Sequence, residues 1–181
     1  GTTITDLSGN SIDGTGQRSL AYDASTYAWS FAGGGASNDT GAYIDVEDIS
    51  STQFVNASGA TIDIEADFGS TADNFERIFD LGVSGPMYGN MALGRSGTSS
   101  DLELRLYQNL STSSLRYRCV STGAITSGMH RWTVIIDGST CRMFRSGTAL
   151  TTSVTANVSP LPASGMTWNV NWLGRSYFGA D

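Results

Sequence analysis

The chain has 181 residues, a length typical of one domain with a sizeable core. Its formal net charge is −7 and all ten basic residues are Arg, which argues against nucleic-acid binding as a main role. The lack of Lys also excludes a phosphate-binding loop of the Walker type. No apolar run is long enough to predict a membrane span, so we expect no membrane insertion.

The pattern of apolar residues predicts an all-β fold. No window repeats apolar residues at the three- and four-residue spacing of a helix. In chain order, the predicted strands cover residues 27–31, 42–46, 61–68, 77–83, 91–94, 101–107, 115–120, a hairpin over 132–144, and 167–174. Roughly ten short strands at this spacing predict two stacked sheets, that is, an antiparallel jelly-roll β-sandwich.

Two segments give the clearest signals. In residues 61–68, apolar side chains alternate with acidic ones, which predicts one face on the core and one facing water or a ligand. In the hairpin, Asp137-Gly138 separates two apolar runs and favours a tight turn, because such turns need positive φ. We interpret His130, at the head of this hairpin, as structural, since one histidine alone supports neither a catalytic triad nor a metal site.

Residues 148–165 are rich in Ser and Thr, and we interpret them as a long connection. In the strand that follows, Trp168 and Trp172 are four positions apart. Because successive side chains of a strand point to opposite faces, we expect these two on the same face. If that face is the core, they are packing residues; if it is the outer face, they form an aromatic platform. For Trp29 and Trp132 we expect packing in the core.

The two cysteines are Cys119 and Cys141. If the strands follow one another in a meander, one strand separates the two cysteines, which is too far for an ordinary disulfide. We therefore expect two free and mostly buried thiols.

Six short motifs, in order along nearly the whole chain, resemble the laminin G-like branch of the concanavalin A-like lectin/glucanase superfamily. They are Asp6-Leu7-Ser8-Gly9-Asn10 with Asp13-Gly14-Thr15, residues 27–31 with 42–46, residues 60–66, residues 129–134 with 137–138, residues 141–147, and Leu173-Gly174-Arg175-Ser176. The opening motif also looks like versions of this domain in phage virion and bacterial surface proteins. The resemblance implies a jelly-roll sandwich that serves as a lectin-like module without catalytic activity.

The sequence departs from the family at its ends. Family members normally have a strand before the loop that starts at Asp6 and a neighbouring strand after Arg175, and this chain is too short at both ends to hold them. We therefore expect a single domain over residues 1–181 that belongs to a longer protein. Domains of the parent chain, or a homo-oligomer, would then supply the missing pairing.

Asp6, Ser8 and Asn10 carry side-chain oxygens at alternate positions, as in a Ca²⁺-binding loop, and Asp13 could complete the site. Jelly rolls of the superfamily often hold structural calcium. The alternative is a loop of Asx turns that needs no metal.

Sugar binding needs exposed aromatic rings together with polar side chains that bond hydroxyl groups. The candidate residues are Tyr88, Asn90, Trp168, Trp172, Arg175 and Tyr177. Glycosidases of the superfamily place carboxylates at alternate positions of one strand. Here Asp63 and Glu65 have that spacing, but Thr61 stands where the first glutamate should be.

We therefore predict a non-catalytic binding module that recognises a glycan or a protein partner, outside the cell or on a virion surface. The alternative is a structural or decoration domain of a virion or fibre protein, held by protein–protein contacts. A laminarinase-like glycosidase is the least favoured hypothesis.

Overall fold

The computed structural model of the protein describes residues 1–18, 20–31, 41–50, 59–69, 76–82, 90–107, 115–156 and 167–174. Within these ranges every regular element is a β-strand, and every strand pair is antiparallel. The predicted all-β sandwich of antiparallel sheets is confirmed. In this described part, no helix has the length and hydropathy needed to cross a membrane.

The larger sheet has nine strands among the described residues, and their order in space differs from their order in the chain. Across the sheet they are β1 (Thr2–Ile4), β2 (Gly14–Gln17), β5 (Tyr43–Val46), β17 (Val170–Leu173), β8 (Arg77–Gly82), β9 (Met91–Arg95), β10 (Leu102–Tyr107), β11 (Leu115–Ser121) and β15 (Ser153–Ala156). Strand β17 therefore lies between β5 and β8, so the sheet is not a simple meander.

The smaller sheet faces the larger one, and two short strand pairs lie outside both sheets. Across the smaller sheet, the strands are β14 (Thr148–Leu150), β13 (Thr140–Arg145), β12 (His130–Asp137) and β7 (Gly59–Ala66). The short pairs are β3 (Ala21–Asp23) with β4 (Ala28–Ser30), and β6 (Ile49–Ser50) with β16 (Thr167–Trp168).

The hairpin of β12 and β13 forms as predicted, with Asp137 paired to Thr140. Gly138 has φ of +55°, the conformation for which glycine is favoured at this turn. A second tight hairpin follows directly, because Ser146 and Gly147 both have positive φ and turn the chain into β14. The interpretation of residues 148–165 as a connection is therefore wrong over 148–150 and 153–156, which form β14 and β15.

Alternate residues of both sheets meet in one hydrophobic core. The larger sheet contributes Leu102, Leu104 and Leu106, and the smaller sheet contributes Val134 and Ile136, all of them buried. Burial of apolar surface stabilises a fold by about 25 cal/mol for each Å² removed from water. The apolar side chains at alternate positions of the two sheets therefore hold the sheets face to face.

Trp132 packs at one end of the core, as predicted, and is completely buried. Its indole N–H donates to the Ala66 carbonyl at 3.1 Å, and the rings of Phe68 and His130 lie edge-on to it. These contacts fit a structural role for His130. Trp29 differs from the prediction, because it lies half-buried on the β3–β4 hairpin against Tyr22, with ring centroids 4.8 Å apart.

Cys119 and Cys141 form a disulfide, so the prediction of two free thiols is wrong. The prediction assumed a meander within one sheet. In fact β11 belongs to the larger sheet and β13 to the smaller one, and the two cysteines face each other across the core with Cα atoms 6.3 Å apart. Both cysteines are buried, as expected.

A strand does precede the loop that begins at Asp6, in contrast with the expectation from the family pattern. It is β1, which pairs with β2 at the edge of the larger sheet. Residues 175–181 lie outside the described part of the chain. Completion of the sheet by parent-chain segments or by a second copy stays a prediction.

Candidate functional site

The face of the larger sheet that points away from the smaller sheet carries a row of polar and aromatic side chains. We call it the outer face. Its residues alternate with the buried core residues, so strand register sets which of them are neighbours. From β2 to β15 the row reads Thr15, Asp45, Trp172, Asp80, Ala92, Arg105, Arg118 and Thr155.

At one end of the row, which we call the aromatic end, Trp172 lies beside Tyr43 with ring centroids 5.4 Å apart. The guanidinium of Arg18 lies 5.6 Å from the centre of the Tyr43 ring, within the range of a cation–π contact. Both rings are half-buried. The aromatic end therefore presents ring surface and a cation together.

Phe31 extends the aromatic end. Gly174 follows β17 and has φ of +78°, and a Cβ atom placed on it would overlap Cδ1 of Phe31. Glycine at this position therefore lets the Phe31 ring lie directly on the backbone beside Tyr43. The register supports this placement, since Ile44 pairs with Leu173 and Gly174 is the next residue.

Asp45 contributes a carboxylate to the aromatic end. Burial raises the pKa of the Asp45 carboxyl, and the side-chain hydrogen bond from Trp172 acts in the opposite direction. The same hydrogen bond fixes the orientation of the indole on the sheet. A sugar ring at this end would find aromatic surface and hydrogen-bonding groups side by side.

The middle of the outer face is closed. Asp80, Asn90 and Ala92 are almost completely buried. The Asn90 amide donates to Asp80 at 3.3 Å, and a Cβ atom on Gly82 would lie 2.8 Å from Nδ2 and Oδ1 of Asn90. Asn90 thus occupies the space that Gly82 leaves open and is inaccessible to a ligand at the surface.

At the other end of the row, which we call the charged end, one buried carboxylate is shared by two arginines. Oε1 of Glu103 accepts from Nε of Arg105 and from Nε of Arg118, each at 2.5 Å, and Oε2 accepts from Nη2 of Arg105 at 2.9 Å. Glu103 is 2% exposed, whereas 39% of the Arg118 side chain is exposed. The buried Glu103 carboxylate therefore holds the two guanidinium groups in position, and the guanidinium of Arg118 faces solvent.

The charge of Glu103 is fixed by these contacts. Burial, the largest contribution, would raise the pKa of this carboxyl, but hydrogen bonds from Arg105, Arg118 and Ser96 outweigh it and lower the pKa to about 2. Arg105 responds in the other direction. Burial would lower its pKa, yet the hydrogen bond to Glu103 raises it overall. Glu103 and Arg105 therefore stay ionised at neutral pH.

The predicted sugar-binding residues are not brought together as a group. Trp172 lies on the outer face, Asn90 lies beneath its closed middle, and Tyr88, Arg175 and Tyr177 lie outside the described residues. Trp168 is 1% exposed and packs in the core. The prediction that Trp168 and Trp172 share a face is wrong, because the strand is interrupted between β16 and β17, at Asn169.

The contacts of Trp172 with Tyr43 and Asp45 were not predicted from the sequence. Tyr43 and Asp45 sit two positions apart on a predicted strand, so a shared face was already implied. Glu103, Arg105 and Arg118 alternate with apolar residues on two predicted strands in the same way. What the sequence could not show is which strands are neighbours.

The loop with Asp6 closes on itself through hydrogen bonds. The Asp6 carboxylate accepts from the backbone N–H of Ser8 at 2.7 Å, from the Ser8 hydroxyl at 2.8 Å and from the N–H of Ile12 at 3.2 Å. The Asp13 carboxylate accepts from the N–H of Asp6, and the Asn10 amide donates to the Ser8 hydroxyl. This is the geometry of Asx turns.

These hydrogen bonds lower the pKa of Asp6, with the Ser8 hydroxyl as the largest contributor. Within the described residues, no group of three or more His, Cys, Asp or Glu side chains could hold a metal ion. Calcium at Asp6, Ser8, Asn10 and Asp13 stays a prediction.

The acidic strand β7 lies on the opposite side of the molecule from the outer face. Asp63 accepts hydrogen bonds from Arg131, through a close contact with Nη2, and from the Thr133 hydroxyl at 2.9 Å. These hydrogen bonds, with that from Arg131 the larger, lower the pKa of Asp63 to about 2. Such a carboxylate is a poor general acid, because it does not hold a proton near neutral pH.

No protein-family model matches the chain, and no curated protein matches it either. Among solved structures, the chain is similar to one from a structural study of botulinum neurotoxin type C, whose cell entry is described as dependent on interaction with two ganglioside molecules. The TM-score is 0.54 at 10% identity, and the similarity covers 98% of this chain and 48% of the other. This chain thus spans about half the length of that one, and the similarity shows a shared fold.

Proposed function

We propose that the protein is a non-catalytic carbohydrate-binding module of the laminin G-like type, which binds glycan at the aromatic end of the outer face. The observation that carries the proposal is the pair of Trp172 and Tyr43, with Arg18 and Asp45 at its sides. Aromatic rings that offer a face to a pyranose, flanked by groups that bond hydroxyls, are what sugar recognition requires.

The shared fold with the neurotoxin chain supports this proposal by analogy, since that toxin interacts with gangliosides. The inter-sheet disulfide supports a location outside the reducing cytosol, either extracellular or on a virion surface. A surface location is where a glycan-binding module meets its ligand.

A glycan array tests the proposal with three proteins: wild type, Trp172→Ala, and Phe144→Ala as the matched control. Phe144 is also a half-buried aromatic residue on a sheet, but its strand, β13, is in the smaller sheet on the far side of the molecule. We expect wild type and Phe144→Ala to bind the same glycans and Trp172→Ala to lose them. Each variant is first checked for an unchanged far-UV circular dichroism spectrum.

If the wild type binds none of the neutral and acidic glycans on the array, the proposal is overturned. Stable oligomers in the same preparation would then favour the structural or decoration role in a virion or fibre.

A further inference from the structure

We propose that the hairpin of β3 and β4 is a second aromatic subsite, which extends the aromatic end and selects an extended neutral oligosaccharide as the ligand. The inference rests on the carbohydrate-binding function proposed above and narrows its ligand. We call this hairpin, residues 21–30, the aromatic arm. It belongs to neither sheet of the sandwich, and Tyr22 pairs with Trp29 across it.

The aromatic side chains of the arm are open to solvent. Tyr27 is 83% exposed and Tyr22 is 49% exposed. The rings of Tyr22 and Trp29 lie 4.8 Å apart between centroids, so each restricts the other although Tyr22 remains half exposed. Single exposed apolar residues are normal on a protein surface, whereas a cluster of exposed rings marks a binding surface.

The backbone of the arm holds Tyr27 in a conformation that a residue with a side chain adopts at a cost. Its φ is +54°, in the left-handed region that glycine favours. The turn before it is fixed, because the Asp23 carboxylate accepts from the N–H of Ser25 at 2.8 Å and from its hydroxyl at 2.7 Å. A fixed turn that displays a tyrosine ring in this way is typical of a functional site. Such order before binding also reduces the entropy that a ligand must overcome.

Both ends of the arm are anchored at the aromatic end of the outer face. Before β3, the guanidinium of Arg18 lies over the Tyr43 ring. After β4, the Phe31 ring lies against Gly174. Trp29 and Phe31 are two positions apart, the spacing that places side chains of an extended chain on one face. The aromatic surface therefore continues from the aromatic end onto the arm.

This continued surface is longer than one sugar. At about 3.3 Å per residue of extended chain, the steps from Trp172 to Gly174 and from Phe31 to Trp29 make a path of on the order of 13 Å. One pyranose ring covers one aromatic ring, so a ligand must have several sugars to contact both parts. We therefore expect affinity to rise with the length of the oligosaccharide.

The charge of the arm favours a neutral ligand. Residues 21–30 contain no basic side chain. Hydrogen bonds from Ser25, with that from its side chain the largest, lower the pKa of Asp23, so its carboxylate is ionised at neutral pH. This negative charge, in a chain of net charge −7, repels an anionic sugar. The hydroxyl groups of Tyr22 and Tyr27 can bond to those of a neutral one.

Calorimetric titration with a length series tests the arm. The ligands run from the monosaccharide to the hexasaccharide of the neutral sequence bound best on the array. The proteins are wild type, Tyr27→Gly, Tyr22→Thr, and Ser146→Gly as the matched control. Ser146 is also an exposed residue with positive φ, +48°, at a hairpin turn, but its hairpin lies in the smaller sheet and it carries no ring.

We expect the affinity of wild type to rise along the series. Tyr27→Gly and Tyr22→Thr should lose much of this gain and bind the hexasaccharide about fivefold more weakly than wild type, the scale of one lost aromatic contact. Both should fold as wild type does, because glycine suits the φ of residue 27 and threonine suits a strand. Ser146→Gly should follow wild type at every length.

Equal affinity of wild type for all lengths, or binding of acidic glycans alone on the array, would overturn the arm subsite and leave the binding function standing. The same holds if both arm variants keep the length dependence of wild type, a result that would favour a protein partner for the arm. If the array is silent, the subsite and the binding function are both overturned.

Discussion

Cys119 and Cys141 join the two sheets of the sandwich through a disulfide, with Cα atoms 6.3 Å apart and a sequence separation of 22 residues. Cys119 pairs in register with Leu104 in the larger sheet, and Cys141 pairs with Ile136 in the smaller one. The bond therefore links two layers that otherwise meet through hydrophobic packing, and it restricts the unfolded chain.

Reduction of this disulfide should lower the free energy of unfolding by about 3 kcal/mol, as expected for a closed loop of this length. Urea unfolding with and without dithiothreitol measures the difference. The double variant Cys119→Ala/Cys141→Ala is the control, and its unfolding should not respond to the reductant. Two thiols detected in the denatured, unreduced wild type would contradict the bond.

Glu103 should make stability depend on pH in the acidic range. Its pKa is lowered from the ordinary 4.5 to about 2 in the folded protein, so its contribution is fully present above about pH 4.5. The contribution is lost as the pH falls through about 2. At about 1.4 kcal/mol per pKa unit, it is on the order of 3 kcal/mol.

Unfolding of wild type and Glu103→Gln, measured from neutral to acidic pH, tests this dependence. The variant should be less stable near neutral pH, and the gap should close toward pH 2. Glu65→Gln removes an exposed carboxylate from the other sheet and controls for the loss of one negative charge. A gap that stays constant with pH would show that Glu103 acts through packing instead of charge.

Asp6→Ala should lower the melting temperature even in the presence of EDTA, because the backbone N–H groups of Ser8 and Ile12 lose their acceptor. Differential scanning calorimetry in EDTA and in CaCl₂ measures this effect. A rise of the wild-type melting temperature in CaCl₂ that Asp6→Ala abolishes would bear out the predicted calcium site. An unchanged melting temperature of the variant in EDTA would contradict the structural role of the Asx turns.

Strand positions were predictable where the local pattern is strong. Residues 59–66 form β7 with Ile62 buried and Asp63 exposed, because alternation of apolar and polar residues is a property of one strand alone. The short strands β14 and β15 were missed, since both are dominated by exposed Ser, Thr and small residues. The Ser146-Gly147 turn is the sequence signal that precedes β14. Strand β15 is defined by its pairing with β11 at the edge of the larger sheet, which no local pattern shows.

The partners of each strand were not predictable in the same way. Whether Cys119 can reach Cys141 depends on which sheet holds each strand, and no local pattern encodes that. The same holds for the candidate site, where Trp172 was predicted but its contacts with Tyr43 and Asp45 follow from the placement of β17 beside β5.

The most direct test of glycan binding at the aromatic end is a ¹H–¹⁵N correlation spectrum during titration with the best array glycan. The chain has four Trp residues, and the cross-peak missing in Trp172→Phe assigns the indole N–H of Trp172. We predict that this cross-peak shifts on titration while that of the buried Trp132 does not. A Trp172 cross-peak that stays in place while the glycan binds would contradict the site.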